Sequence, residues 1–332
     1  MRCPTLKELP APLEGKTGWP WTEETISLPD VMPDGRPWPK ISVITPNYNF
    51  VQFIEEAIRS ILLQGYPNIE YIIIDGGSQD GSVDIIKKYE KWLAYWESSH
   101  DRGAAEATNK GLLRITGQIF NWVDSDNALI SGSLNEIALL WSRDPCSLIC
   151  GSCVIFDEKG KYDVEPNMNL TVKNFTTLSD RKLRYYAPGV WVPFQAISKV
   201  GQLDISYIYY ADWEWMIRLL GVFPVKYSNK VFAKYRQHPQ SKGSRCDRKF
   251  RNELRVICET YIKKLGWQDQ WPRLQRWFDL GDWFDEIDKI RNSNSGRLRK
   301  AGIILIKALS NFDRLKSRFT WGALRMVLLD GQ

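Results

Sequence analysis

Two short apolar runs stand out near the start of the regular part of the chain. Ile41–Thr45 and Ile69–Ile74 are rich in β-branched residues, which predicts two buried strands. Between these runs, apolar residues from Phe53 to Leu62 recur at helical spacing, and Gly65 ends the predicted helix. The order strand, helix, strand is typical of a parallel βαβ unit.

The alternation of strands and helices continues along the chain. We predict further strands at 118–123, 148–156 and 222–235, and further helices at 83–89, 106–113, 131–142 and 212–220. This order indicates an α/β fold with a doubly wound, mostly parallel sheet. In such a sheet, ligands bind beyond the carboxyl ends of the strands.

Composition divides the chain into three segments. Residues 1–39 are rich in proline and show no helical or strand period, so we expect an extended arm on the surface. Residues 40–244 form the predicted α/β domain. Residues 245–332 are basic, rich in tryptophan and helical in pattern, which predicts a helical C-terminal extension.

The net charge of +6 belongs to that extension. It holds 19 Lys/Arg and 11 Asp/Glu, a net of +8, and the remaining residues therefore have a net of −2. A nucleic-acid enzyme with a basic cleft in the main domain is thus not expected. Residues 297–329 hold eight Lys/Arg and one Asp among large apolar residues. They predict either a helix on an anionic membrane surface or a helix packed with a solvated basic face.

No apolar run reaches the length of a membrane-spanning helix, and the first residues lack an apolar secretion signal. We therefore expect a cytoplasmic protein, with peripheral contact at the inner face of the membrane through its C-terminal helices. Six cysteines in 332 residues are too few for a disulfide scaffold. The spacing Cys146, Cys150, Cys153 leaves an iron–sulfur enzyme as a distant hypothesis, although buried thiols in an apolar run explain it better.

The candidate chemistry lies directly after apolar strands. Asp124 and Asp126, one residue apart after such a strand, are suited to a hard cation such as Mg²⁺ or Mn²⁺. An ordinary aspartate-rich turn is the alternative. Asp212, at the start of an apolar helix, is either a helix cap or a reactive carboxylate among aromatic residues. His238, in a polar loop after a strand, is either a surface residue or a site residue.

Six motifs in order resemble the family 2 glycosyltransferases with the GT-A fold, over about residues 40–242. The motifs are Ile41–Asn49, Glu70–Ser82, Asp101–Gly111, Asp124–Asp126, Ala211–Arg218 and Tyr235–Ser241. In the same order, the first three are similar to the family's opening strand with its Pro-x-Tyr-Asn turn, the second strand with its Asp-rich turn, and the segment before the metal motif. The last three are similar to the Asp-x-Asp motif, the helix of the catalytic base and the closing Arg-x-His-Pro-x-Ser loop. The fold implied is a GT-A type sheet.

The resemblance implies a role for each matching residue. Asp212 would be the catalytic base, and Asp126 and His238 would contact a divalent metal, Mn²⁺ or Mg²⁺. The nucleotide-sugar site would include Pro46, Tyr48, Asn49, Asp75, Asp101, Arg102, Asn109, Lys110, Asp124 and Ser125. Three departures stand out: Gly76 and Asn127 occupy positions where many members have an acid, and Ala211 replaces the acid that often precedes the base.

The implied activity is inverting, metal-dependent transfer of a sugar from a nucleoside diphosphate sugar, with a UDP-sugar favoured, to a hydroxyl of a carbohydrate or lipid-linked acceptor. Polysaccharide or glycoconjugate synthesis is the expected setting, and no nucleic-acid partner is expected. The alternative is a catalytically inactive protein that binds a nucleotide sugar.

Overall fold

A computed structural model describes residues 1–157, 159–160, 162–241 and 248–329. The chain divides into two compact units. The first consists of Met1–Phe175 and Asp180–Ser244, and the second of Thr176–Ser179 and Arg245–Gln332.

Nine strands of the described residues form one sheet in the first unit. They are β1 Ile41–Asn47, β2 Ile69–Asp75, β3 Tyr95–Ser98, β4 Ile119–Trp122, β5 Ala128–Leu129, β6 Leu148–Asp157, β7 Tyr162–Pro166, β8 Val190–Pro193 and β9 Val225–Gln237. The order across the sheet is β3-β2-β1-β4-β8-β6-β9-β5, and β7 pairs with β6 at its side. The helices that accompany them are α1 Val51–Leu62, α2 Ser82–Tyr89, α3 Ala104–Leu112, α4 Ser133–Arg143, α5 Val172–Thr177, α6 Gln195–Val200 and α7 Ala211–Leu220.

The predicted mostly parallel α/β sheet is confirmed in its first half. Strands β3, β2, β1 and β4 are all parallel, and every residue of β1 and β2 is buried, which explains their unbroken apolar runs. The second half is mixed: β8 runs antiparallel to both β4 and β6, whereas β6 and β9 are parallel. Short strands such as β5 and β8 have too few residues for a periodic pattern, so the sequence did not predict them.

The N-terminal segment belongs to the first unit, with most of its residues exposed and a few side chains buried. It has no helix or strand among residues 1–39 apart from a single bridge between Val31 and Pro37. Four of its side chains nevertheless belong to the main apolar cluster: Cys3, Leu9, Met32 and Trp38. The segment has no regular structure, as an extended arm would, yet it buries several large apolar side chains in the first unit.

The fully buried guanidinium of Arg59 holds this segment in place. It donates hydrogen bonds to the backbone oxygens of Pro10, Pro20 and Trp21 at 2.9, 3.1 and 3.0 Å. A buried cation needs such partners, because an unpaired charge away from water is strongly unfavourable. The irregular segment thus supplies acceptors that helix α1 requires.

The second unit is helical. Its helices are α8 Arg248–Leu265, α9 Trp271–Arg291, α10 Arg297–Leu309, α11 Phe312–Lys316 and α12 Arg318–Leu329. The small core lies between α9, α10 and α12, and Trp283 at its centre is fully buried and donates to the Thr320 hydroxyl at 2.9 Å. No helix within the described ranges combines the length and the apolarity needed to span a bilayer.

Candidate active site

The carboxyl ends of β1, β2 and β3 bring three polar side chains together. Asp75 pairs with Asn47 of β1 and with Ser98 of β3 in the sheet register. Its carboxylate is completely buried and accepts hydrogen bonds from Asn47 Nδ2 at 2.7 Å, and from the hydroxyls of Ser78 and Ser98, each at 2.6 Å. The backbone N–H groups of Gly77 and Ser78 also donate to it. Asp75 therefore organises the turn that follows β2, because its buried carboxylate accepts hydrogen bonds from the groups of that turn.

Gly76 lies between two of the predicted nucleotide-site residues. A Cβ atom at Gly76 would lie 2.8 Å from Asp101 Oδ2 and 3.2 Å from Tyr48 Cδ2. A side chain at position 76 would therefore meet both Asp101 and Tyr48 unless they moved. Burial raises the pKa of the Asp101 carboxyl, although the Gly103 N–H donates to it at 2.8 Å. Tyr48 is 59% exposed, so it presents a ring face at the rim of this site.

The other predicted residues near this turn are held by protein groups. Asn49 has a left-handed backbone with φ of 54°, and its N–H donates to the Ser78 hydroxyl at 2.8 Å. Arg102 pairs with Glu106 at 2.8 Å on the exposed surface. Pro46 is buried in β1, opposite Ile74.

Asn109 and Lys110 of α3 both have protein partners. The amide of Asn109 makes two hydrogen bonds with the backbone of Leu203, at 2.8 and 3.0 Å. Lys110 donates to the Ser99 hydroxyl at 2.9 Å and lies 3.5 Å from Glu97. Asn109 therefore connects α3 to the 203 loop, and Lys110 brings a positive charge next to the end of β3.

In the loop after β4, a carboxylate lies next to an imidazole. His238 Nε2 lies 3.0 Å from Asp126 Oδ2, and both side chains are largely buried. Asp126 Oδ1 and the Ser125 hydroxyl are buried and have no hydrogen-bond partner among the described residues. Buried polar atoms without partners are rare, so these two atoms are suited to a ligand.

Asp212 lies in the first turn of α7, where Trp213 N–H donates to its Oδ1 at 2.8 Å. Burial raises the pKa of the Tyr235 phenol, and the negative charges of Asp126, Asp124 and Asp212 raise it further. The pKa of Tyr185 is raised mainly by burial, and then by Asp212. Asp124, Asp126 and Asp212 therefore all act electrostatically on the Tyr235 hydroxyl.

An aromatic cluster lies directly beside Asp212. The ring of Trp213 is 4.2 Å from that of Phe175 and 6.1 Å from that of Tyr185, measured between centroids, and Tyr210 lies 6.0 Å away. Flat apolar faces of this kind suit the face of a sugar ring, and hydroxyls at their edges can hydrogen-bond to it. The sequence indicated aromatic residues here but not their arrangement.

The structure also reveals site residues that sequence reasoning missed. Arg236 donates from Nε to the backbone oxygen of Asp126 at 3.0 Å and pairs with Glu56 of α1 at 2.6 Å. Its backbone N–H donates to the Asn127 amide oxygen at 3.0 Å. The Tyr235–Ser241 motif contained Arg236, but nothing in the sequence linked it to α1.

The cysteines are arranged differently from an iron–sulfur ligand set. Cys150 and Cys153 are completely buried in β6, whereas Cys146 is exposed before the strand. Burial raises the pKa of the Cys153 thiol to about 12, and that of Cys150 further still. Buried, protonated thiols are poor metal ligands, so the geometry favours packing as the role of these residues.

The residues present fit a divalent cation whose ligands come partly from the protein and partly from a substrate. Across the described ranges, no three His, Cys, Asp or Glu residues cluster in a way that would enclose a metal ion. Asp126 and His238 offer two contacts, and Asp126 Oδ1 has no hydrogen-bond partner within the part of the chain that the structure describes. Mg²⁺ and Mn²⁺ often complete their coordination with substrate phosphates and water, so two protein groups suffice.

Comparisons with known proteins identify similar sequences and folds among glycosyltransferases. A family model described as Glycosyl transferase family 2 matches residues 42–200. An uncharacterized glycosyltransferase of Rickettsia felis is 24% identical over 68% of this chain, which spans only 39% of that relative's length. TuaG of Bacillus subtilis, named as a teichuronic acid biosynthesis glycosyltransferase, is 43% identical over 27% of this chain and 36% of its own length.

Two solved structures are similar in fold. S. aureus TarS 1-349 in complex with UDP-GlcNAc has a TM-score of 0.54 and 16% identity, and the match covers 88% of this chain and 80% of TarS. The mannosyltransferase PcManGT from Pyrobaculum calidifontis, in complex with GDP-Man and Mn²⁺, has a TM-score of 0.52 and 17% identity, over 94% and 92% of the two chains. With the motifs, the sheet order and the family model in agreement, residues 42–200 of this chain form a glycosyl transferase family 2 region, and the fold is of the GT-A type.

Proposed function

We propose that this protein transfers a sugar from a nucleoside diphosphate sugar to an acceptor hydroxyl. The observation that carries the proposal is the pair of Asp126 and His238, 3.0 Å apart, in which Asp126 Oδ1 is buried and has no hydrogen-bond partner among the described residues. This carboxylate–imidazole pair is suited to a cation and a diphosphate. Asp212, in the first turn of α7, is a separate carboxylate next to an aromatic cluster.

Asp126 and His238 would hold the divalent cation, Mn²⁺ or Mg²⁺, together with the diphosphate of the donor. When bound, such a cation spreads the negative charge that develops on the departing diphosphate. Asp124 and Ser125 would contact the ribose or the sugar, because they directly precede Asp126 in the same loop. Tyr48 and Asp101, on either side of Gly76, would contact the base, while Asp75 shapes the turn beneath them.

Asp212 would act as the general base. The acceptor hydroxyl loses its proton to Asp212 as its oxygen forms a bond to the anomeric carbon, and the bond to the diphosphate breaks on the opposite side. A single displacement of this kind inverts the anomeric configuration and needs no second carboxylate as a nucleophile. General-base assistance typically accelerates a reaction by about 10²–10⁴-fold.

The donor is proposed to be a UDP-sugar, with a GDP-sugar as the alternative to test. TarS was solved with UDP-GlcNAc, and PcManGT with GDP-Man. The acceptor is proposed to be a carbohydrate or a lipid-linked saccharide, since the rings of Trp213 and Tyr185 beside Asp212 suit a sugar face. The local similarity to TuaG supports a role in polysaccharide or glycoconjugate synthesis.

We propose a different role for each of three segments of the chain. Residues 40–244 carry the transfer chemistry, residues 1–39 complete the core around helix α1, and residues 245–332 form a separate helical extension. We propose that the extension makes peripheral contact with an anionic membrane surface, with the protein on the cytoplasmic side.

The test is calorimetry and thermal shift with UDP and GDP, each with and without Mn²⁺, followed by hydrolysis and transfer assays on the matching donors. The proposal expects Mn²⁺ to tighten binding of one nucleotide and to raise its stabilising effect, since a ligand of the folded state alone raises apparent stability. Mn²⁺-dependent binding without any hydrolysis or transfer would favour an inactive binding protein. Absence of nucleotide binding under all conditions would contradict the proposal.

A further inference from the structure

Arg236 is fixed on three sides by parts of the chain that are far apart in sequence. Its Nη2 pairs with Glu56 of α1 at 2.6 Å, and its Nε donates to the backbone oxygen of Asp126 at 3.0 Å. Its own N–H donates to the side chain of Asn127 at 3.0 Å. These bonds fix both Arg236 and the loop that carries Asp126.

Two aromatic rings pack against the guanidinium of Arg236. It lies over Phe53 of α1 at 4.5 Å and over Phe156 of β6 at 4.4 Å, and the Arg236 side chain is only 13% exposed. Phe53 also contacts the ring of His238, with centroids 5.0 Å apart. One aromatic side chain therefore packs against both the arginine and the histidine.

We propose that Arg236 is a positioning residue, which fixes the main chain of Asp126 so that the Asp126 carboxylate and His238 meet a divalent cation in a preformed geometry. The inference rests on the proposed function, since it assigns Arg236 a role in metal binding at that site. Residues that orient metal ligands from outside the coordination sphere typically contribute about 10–100-fold to metal affinity.

The chemistry of arginine explains why this position needs it. A guanidinium can stack between two rings while it directs separate N–H groups at a carboxylate and at a carbonyl oxygen. A lysine ammonium carries the same charge but lacks the planar fork, so it cannot keep both bonds in the sandwich. Arg236→Lys thus removes the bond to Asp126 while it preserves the local charge.

The experiment compares the full chain with its Arg236→Lys variant by calorimetric titration of Mn²⁺ in the presence of saturating UDP, and by thermal shift without ligands. We expect the variant to bind Mn²⁺ about 10–100-fold more weakly and to bind UDP without metal as the unchanged chain does. Arg59→Lys is the matched control, because Arg59 is a buried arginine of the same unit whose guanidinium donates to the N-terminal segment and to the Tyr89 hydroxyl. The control should lose thermal stability but keep its Mn²⁺ affinity.

Mn²⁺ affinity of Arg236→Lys within twofold of the unchanged chain would overturn the inference. Equal Mn²⁺ losses in Arg236→Lys and Arg59→Lys would also overturn it, because the effect would then be general destabilisation. If Arg236→Lys does not fold, Glu56→Gln, which loosens the guanidinium, should weaken Mn²⁺ binding, and unchanged binding there would reject the role. If the unchanged chain binds UDP without any effect of Mn²⁺, the proposed metal dependence itself fails, which is a distinct result.

Discussion

His238 Nε2 lies 3.0 Å from Asp126 Oδ2, although 112 positions separate the two residues in the sequence. The imidazole packs against Phe50, which precedes α1, and Phe53 of α1, with ring centroids 5.4 and 5.0 Å away. The sheet and helix α1 therefore assemble this pair before any ligand arrives. Preformed geometry lowers the entropic cost of binding a cation and a diphosphate.

Replacing His238 by Ala should remove much of the effect of Mn²⁺ on UDP affinity. One of two proposed contacts would be lost, and Asp126 would lose its hydrogen-bond partner. We expect about 10–100-fold weaker Mn²⁺ binding by calorimetry, with UDP binding in the absence of metal nearly unchanged. Phe50→Leu is the control, since it removes a ring contact but keeps Nε2. A Mn²⁺ affinity that survives in His238→Ala would assign the metal to other residues.

Asp212→Asn should abolish transfer but leave donor binding intact. The amide keeps the shape of the side chain but cannot accept the acceptor proton, so kcat should fall by about 10²–10⁴-fold. Calorimetry should give the same affinity for UDP and Mn²⁺ as in the unchanged chain. Turnover at the normal rate in this variant would remove Asp212 from the role of base.

The apolar pattern alone predicted β1, β2, β4 and the helices between them, since buried parallel strands are locally distinctive. The position of Asp126 at the end of β4 followed from that pattern. The pairing of Arg236 with Glu56 could not follow, because 180 positions separate them and nothing in the Tyr235–Ser241 motif links Arg236 to α1. The internal hydrogen bonds of Asp75 were equally hidden, since they depend on the register of three strands.

Glu70 should make stability depend on pH on the acid side. The Glu70 side chain is 9% exposed; burial raises its pKa, but hydrogen bonds from Ser42 and Thr116 and the charge of Lys40 outweigh burial and lower it. A lowered folded pKa means that Glu70 stabilises the fold above its unfolded pKa, about 4.3, and that this stability disappears as the pH falls through the lower folded value. Glu70→Gln should therefore cost about 1–3 kcal/mol at pH 7.

Chemical denaturation of Glu70→Gln and the unchanged chain at several pH values measures this effect. The difference in the free energy of unfolding between the two should shrink as the pH falls below about 4. Glu90→Gln, at an exposed position of the same unit, should show no such pH dependence. A difference that is constant from pH 7 to pH 3 would show that the charge of Glu70 plays no part.

Gly111→Ala should destabilise the first unit. A Cβ atom at Gly111 of α3 would lie 2.5 Å from Ile44 Cγ2 of β1, which is fully buried. Overpacking of this kind costs about 1–3 kcal/mol, more than the helix propensity of alanine returns. Gly302→Ala in α10 meets no atom within 4 Å and should be neutral or stabilising. The free energies of unfolding from urea titrations decide, and a stabilised Gly111→Ala would mean that α3 shifts freely on β1.

The helical extension should bind anionic vesicles weakly and in a salt-sensitive way. Its large apolar side chains include several that are highly exposed: Leu298 82%, Ile306 71%, Leu309 67% and Phe312 67%. Eight Lys/Arg and one Asp accompany them in residues 297–329. Each basic residue near an anionic surface contributes about 1 kcal/mol, and salt screens that contribution.

Sedimentation with phosphatidylglycerol vesicles at low and high salt tests this binding. Reversing the charge of Arg297 and Arg299 to Glu, both exposed, should release most of the bound protein, because two charges change sign and the net charge there falls by four units. Lys87→Glu with Lys88→Glu changes the charge equally in the first unit and should leave binding as it was. Equal losses in both double variants would mean that net charge alone attracts the protein. Equal sedimentation with and without vesicles at low salt would mean that the exposed apolar side chains of the extension serve a contact other than a lipid surface.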